Sequence, residues 1–270
     1  MGALARGRCL PVALVAATLL GGCVAGVDSE TVRTDTLAFL GDRYGRDFIV
    51  RELKWDCHEG NRCPDDFYLV CAPRETPELT FPVWVSYETP NRSFRLVRES
   101  YHLGRLSYEA GLVLGREMDA LHPASLARAT VLGLDEVPEE AREATWEDLA
   151  ARFRRRLDVH LKVVLFLAES GGEPDGEAIV RALVERFAPQ AGSLAVRMTF
   201  YRLPLSEEIR SRAAESPVFH QLESWLAKTY FSRKATTWDL RLAEEDLEDL
   251  GRTLGSLRDS VRRRDLHQSS

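Results

Sequence analysis

Two stretches in the second half of the chain restrict its fold more than any other feature. In DVHLKVVLFLAES every second residue is apolar (Val159, Leu161, Val163, Leu165, Leu167), and SLAVRMTFYRL repeats the pattern with Leu194, Val196, Met198 and Phe200. A period of two puts alternate side chains on one face of a sheet, so both read as strands. Between them GEAIVRALVERFA has helical spacing, and TWEDLAARFRRR before them opens on Thr145 with Asp148 three residues later, a capping-box-like start. PVFHQLESWLAKTY reads as a further helix, and TTWDLRL as a strand with Trp238, Leu240 and Leu242 on one face. Ala243, Leu247, Leu250, Leu254, Leu257 and Val261 then fall at steps of four and three, which predicts an amphipathic C-terminal helix covering its own sheet. This half reads α-β-α-β-α-β-α.

The first half has a different order. TLAFLGDRY reads as a helix ending near Gly45, followed by strands in DFIVRELKW, DFYLVCA and LTFPVWVSYE. In the last of these Phe81, Val83, Val85 and Tyr87 share a face, while Pro77, Pro82 and Pro90 mark it as an edge strand or one with ragged ends. SFRLVRES fits a fourth strand or the start of the next helix, and apolar spacing predicts a helix over 101–121. HPASLARATVLGLDEVPEE has two prolines and weak periodicity and reads as a linker. The expected fold class is α+β, with two sequential α/β lobes and mainly antiparallel sheets flanked by helices. The lobes span 36–121 and 144–265, joined by a linker over 122–143. DRYGRDFIV, ARFRRRLDVHLKVV and ERFAPQAGSLAVRM each end a helix on Arg-Phe or Arg-Tyr and turn into a strand. That fits a duplicated unit, or helix C-termini that each carry a cation and a packing aromatic.

The start of the chain carries an address. MGALARGRCLPVALVAATLLGGC has a basic segment (Arg6, Arg8) and an apolar run from Cys9 to Leu20. That run is too short for a spanning helix, which needs about 20 residues. Leu20-Gly21-Gly22-Cys23 resembles the lipobox of bacterial lipoproteins. The resemblance covers the leader alone. It implies removal of residues 1–22, a diacylglyceryl thioether on Cys23 and a bilayer as partner. It also implies a lipid-anchored place in the cell envelope, and Val24 favours the outer membrane if the host has one. Residues 23–35 are then a lipidated tether. Loss of Arg6 and Arg8 with no acid moves the formal charge from −6 to −8. Such a balance disfavours a nucleic-acid partner, because phosphate contacts want a basic surface.

Outside the cytoplasm disulfides form and persist. Cys57 and Cys63 flank the turn HEGNR between two expected strands, so a Cys57–Cys63 bridge is the expectation, with Cys71 a buried free thiol. Spacing leaves the pairings Cys57–Cys71 and Cys63–Cys71 open. Cys57, His58, Cys63 and Cys71 lack the paired C-x-x-C spacing of a zinc or redox site. Glu169, Glu173, Asp175 and Glu177 surround three glycines without the order of a calcium loop, and read as a solvated turn. His102, His122, His160, His220 and His267 are scattered, and no nucleophile, P-loop or dinucleotide motif is present. The expectation is no catalytic residue, no metal and no cofactor. The function class that fits first is a non-catalytic interaction module serving another envelope protein. The alternatives are a ligand-binding lipoprotein with its site between the lobes, and an envelope hydrolase without a recognisable motif.

Overall fold

The computed structural model describes residues 27–55, 66–88, 91–134, 142–167, 174–216, 218–231 and 234–255. Helix α1 (Ser29–Tyr44) starts where the Asp28 carboxylate accepts from the backbone N–H groups of Glu30 and Thr31, both at 3.0 Å. It ends at Gly45, whose φ of +64° is a conformation that favours glycine. Val32, Thr36 and Leu40 are buried on its inner face, and Val27 before it is buried too. Residues 29–35, expected in the tether, therefore belong to a packed helix. The Asp28 cap starts it a full turn and more before the first long apolar run.

Strands β1 (Phe48–Trp55), β2 (Asp66–Pro73), β3 (Phe81–Glu88) and β4 (Ser93–Glu99) form an antiparallel sheet in that order. Phe67, Leu69, Phe81, Val83, Val85 and Tyr87 face α1 in one core. SFRLVRES is thus the fourth strand, and β3 is internal rather than an edge. Pro82 is tolerated there because β4 pairing begins one residue later, at Val83 opposite Glu99. On that side only its carbonyl is used, by Ser100 N–H at 3.2 Å, so the missing donor leaves no gap in the ladder.

Helix α2 (Tyr101–Leu121) joins the lobes. Tyr101 packs in the first core, whereas Leu106, Ala110, Val113, Leu114 and Met118 are buried in the second. Close approach to β3 is possible because Gly104 has no side chain: a Cβ there would lie 2.6 Å from Phe81 Cβ. The expected linker contains strand β5 (Ser125–Leu132), paired antiparallel with β6. Alanines at 127 and 129 hid its alternation, since only Val131 on that face is large. They are small because α2 lies against the open edge of β5, where Ser107 Oγ accepts from Val131 N–H at 2.9 Å.

The second sheet orders β5, β6 (Asp158–Phe166), β7 (Ser193–Tyr201) and β8 (Lys234–Leu242), with β6 and β7 parallel and the other pairs antiparallel. Helices α3 (Trp146–Phe153) and α4 (Gly176–Phe187) share one face with α2, and α5 (Glu207–Glu215) and α6 (Phe219–Thr229) cover part of the other. Both α3 and α4 pass through one 3-10 turn into β6 and β7, whose first residues, Asp158 and Ser193, are paired. The third similar segment, α1 into β1, lacks that turn and leads into an antiparallel pair. The C-terminal helix is interrupted. Helix α7 (Glu244–Glu248) stops at Asp249, and residues 250–255 resume the helix with Leu247, Leu250 and Leu254 against the second core. No described helix is long and apolar enough to cross a membrane.

Candidate functional site: a cleft between the lobes

Cys23, Cys57 and Cys63 lie outside the described residues, as do His58, Glu169 and Glu173. Cys71 is a fully buried free thiol on β2, and burial pushes its pKa up to about 12, so the nucleophilic thiolate is suppressed. Asp175 accepts from Ala178 N–H and caps α4. Among the described residues no three His, Cys, Asp or Glu side chains converge as metal ligands. The cysteine and acid patterns of the sequence therefore do not build a site within the described residues.

The residues that do converge come from seven separate elements, β3, β4, α2, β5, β6, α5 and α6. A cleft of about 810 Å3 opens between the outer face of the first sheet, α2, the β5–β6 edge of the second sheet and the α5–α6 pair. Its size falls in the small-molecule range of about 300–1,000 Å3. On the first lobe the register sets Trp84 opposite Arg98 and Tyr68 opposite Trp84. Trp84 meets Tyr68 edge-on at 5.3 Å between centroids, and the Arg98 guanidinium sits 5.7 Å from the Trp84 ring centre. Arg98 is exposed and makes no ion pair among the described residues. Tyr108 and Leu112 face the cleft from α2, where Leu112 is 50% exposed, and Leu132 at the end of β5 is 42% exposed.

On the second lobe, Arg128, Lys162 and Arg197 follow one another across β5, β6 and β7 on the sheet face away from the main core. Like charges in adjacent cross-strand positions repel unless each is answered separately. Lys162 pairs with Glu223 and Arg197 with Asp239, each at 3.0 Å. Arg128 donates to Glu78 O at 3.3 Å and Thr80 Oγ1 at 3.4 Å, which ties β5 to the loop before β3. Burial, with Arg51 nearby, holds its pKa below the usual arginine range. Arg51 reaches Pro77 O, Ala214 O and Glu215 O, and Gln221 Nε2 donates to Glu52 at 3.0 Å. These polar contacts hold α5 and α6 against β1 and close that end of the cleft.

A smaller hollow of about 170 Å3 adjoins the cleft; Arg98, Ser100 and Leu103 line both. Glu99 there accepts from Tyr44 Oη and, at 2.7 Å, from Tyr101 N–H, with Arg43 3.6 Å away. Burial raises the Tyr44 pKa, and the Glu99 carboxylate adds to the shift. Neither ring nitrogen of His102 has a hydrogen-bond partner among the described residues. Burial lowers its pKa, opposed by Glu99 and reinforced by Arg105 and Arg142.

No family model matches the chain, and no curated protein does. Among solved structures it is similar to a DUF5037 family protein from Ruminococcus gnavus ATCC 29149, a crystal structure at 2.55 Å resolution. The two share 11% identity, the match covers 83% of this chain and 98% of the other, and the TM-score is 0.52. At that identity the likeness is one of fold. It spans more of the chain than either lobe contains, so the shared fold includes parts of both.

Proposed function

We propose that this chain is an envelope lipoprotein, anchored through Cys23, that binds a ligand in the cleft between its lobes. The observation that carries the reading is the cleft itself, where aromatic and cationic side chains from both lobes converge on a volume of small-molecule size. Ligand binding gains most from it among the readings that the sequence left open. An exposed edge strand favours the interaction-module reading as the second. The outer edge of β4 pairs with no strand among the described residues, and Val97 at its bulge is 59% exposed.

An anchor at Cys23 has a geometric consequence. Val27 is already packed in the first core, so only three residues, spanned by four chain steps, separate Cys23 from the folded body. At about 3.3–3.6 Å per residue, that tether spans at most about 14 Å. Asp28 lies close enough to Tyr87 for its charge to act on the phenol, and Tyr87 bonds Asp35. The start of α1 and the β3–β4 turn therefore share one end of the lobe. Cleft residues Glu78, Thr80 and Ser100 lie at the other end. Membrane-proximal and ligand-binding ends would thus be opposite. For the connection that carries Cys57 and Cys63, support for a bridge comes from its described ends, paired as Trp55 opposite Phe67, and from the buried, unpaired state of Cys71.

The experiment is native mass spectrometry of the lipidated protein extracted from its own envelope, beside a Leu112→Trp variant that narrows the cleft. A stoichiometric small-molecule adduct on the wild type, lost in the variant, is the expected result. A protein without adduct that cross-links to one stoichiometric envelope protein would replace ligand binding with the interaction module. Fractionation of Cys23→Ala tests the anchor separately: release from the membrane is expected, and retention would refute it.

A further inference from the structure

Helix α2 presents one narrow stripe to the cleft: Leu103, Gly104, Ser107, Tyr108, Gly111 and Leu112. Alternating steps of one and three keep all six on a single face over three turns. Three of them are glycine or serine, so the stripe forms a low floor between larger side chains. Ser107 is already bonded twice within the protein, donating to Leu103 O at 2.8 Å and accepting from Val131 N–H at 2.9 Å. From Leu103 to Leu112 the floor runs about 14 Å at 1.5 Å per residue. Strand β5 beside it lines the cleft from Leu126 to Leu132, about 20 Å at 3.3 Å per residue. A volume of about 810 Å3 drawn out over that length is about 7 Å wide. The cleft is a trough.

Charged residues of its wall are engaged with the protein itself. Lys162 pairs with Glu223 at 3.0 Å, and Arg128 donates to Glu78 O and Thr80 Oγ1. What the trough offers a ligand is therefore chiefly apolar surface. Leu112 and Leu132 stand half-exposed on its α2 and β5 sides, and Trp84 and Phe219 line it from the first sheet and α6. Large apolar side chains left open in a concave site gain by being covered with an apolar ligand. The hydrocarbon core of a bilayer is about 30 Å thick, so one acyl chain reaches about 15 Å, close to the length of the floor. Sixteen methylenes, each near the volume of a liquid water at about 30 Å3, fill about 480 Å3. Length and volume both accommodate one such chain.

We propose that the trough takes the straight hydrocarbon chain of a lipid, laid along α2 and β5 with its methylenes against Leu112, Leu132 and Trp84. This rests on the ligand-binding reading above and names the chemical class of its ligand. Affinity comes from buried methylenes, so it follows the length of the chain and its slender shape.

Competition between uncharged probes separates the class from the reading. N-Phenyl-1-naphthylamine, a neutral dye that brightens in apolar sites, reports occupancy, and 1-octanol, 1-decanol and 1-dodecanol compete for it. Each added pair of methylenes is expected to tighten competition about tenfold. 1-Adamantanol, which folds the ten carbons of decanol into a cage, should compete about tenfold more weakly than decanol. Gly111→Phe plants a ring in the floor, where a Cβ has ordinary room, and should weaken decanol about tenfold. Leu132→Asn, at an exposed position of β5, is the second variant and should weaken it about fivefold. Far-UV circular dichroism checks that both stay folded. Lauric acid and lauroyl-lysophosphatidylcholine then separate the sources of the chain: tighter competition by the acid supports a free fatty acid, and by the phospholipid a membrane lipid. Affinity independent of chain length, adamantanol equal to decanol, or decanol unmoved in both folded variants would overturn the proposal and leave the cleft to another ligand. Binding of neither dye nor alcohol would overturn the chain class. Joined to the absence of an adduct in native mass spectrometry, it would overturn the ligand-binding reading as well.

Discussion

Replacing Gly104 by alanine sets helix propensity against packing, and the structure says which wins. In a helix interior alanine is favoured over glycine by about 1 kcal/mol. At Gly104 the new Cβ would stand 2.6 Å from Phe81 Cβ and 3.1 Å from Thr80 O. Neither is the far end of a flexible side chain. Phe81 is fully buried, with its ring edge-on to Phe48 and Tyr101, so relief requires α2 or β3 to move as a body. Overpacking of this kind costs about 1–3 kcal/mol, and rigid partners put Gly104 at the upper end. The net loss expected is about 2 kcal/mol after the gain in propensity. Gly115 on the same helix is the control, because a Cβ added there would meet nothing within 4 Å. Gly115→Ala should therefore gain about 1 kcal/mol. Urea unfolding read by circular dichroism and by tryptophan fluorescence measures both. At a slope of about 2 kcal/mol per molar urea, the midpoint should fall by about 1 M for Gly104→Ala and rise by about 0.5 M for Gly115→Ala. A rise for both would refute the close approach of α2 to β3, and with it the geometry of that cleft wall.

Thr36 on α1 is fully buried and its hydroxyl has no hydrogen-bond partner among the described residues, so Thr36→Val should raise stability by about 1 kcal/mol in the same urea assay; a loss would mean that the hydroxyl is satisfied. The His102 pKa is lowered in the fold, so the unfolded chain binds the proton more readily, and stability should fall as pH drops through the ordinary value of 6.5 toward the folded one. His102→Gln should flatten the decline between pH 7 and 5, and an unchanged slope would refute the assignment. Buried Cys71 should resist iodoacetamide in the native protein and label fully in urea, as peptide mapping would report; rapid native labelling would contradict its burial. Non-reducing peptide mapping should recover Cys57 linked to Cys63, and free thiols at both positions would remove the proposed bridge.

Local pattern was enough for much of the architecture. Alternation around Val159–Leu167 and Leu194–Phe200 specified β6 and β7, and helical spacing over 101–121 specified α2, because backbone geometry ties the period of apolar residues to one exposed and one buried face. Strand β5 escaped because Ala127 and Ala129 carry little apolar signal; their small size reflects the neighbouring helix, a tertiary cause. Helix α1 began earlier than its apolar run because Asp28 caps it, and the C-terminal seam did not reveal the break at Asp249. The cleft was not legible at all, although a site between the lobes was among the alternatives. Trp84 and Arg98 become neighbours through strand register, Arg128 and Lys162 through another, and His220 through the packing of α6. Sequence by itself determined which segments bury a face. Only the tertiary structure decided which polar residues those segments bring together, because register and lobe packing are set by contacts between residues far apart in the chain.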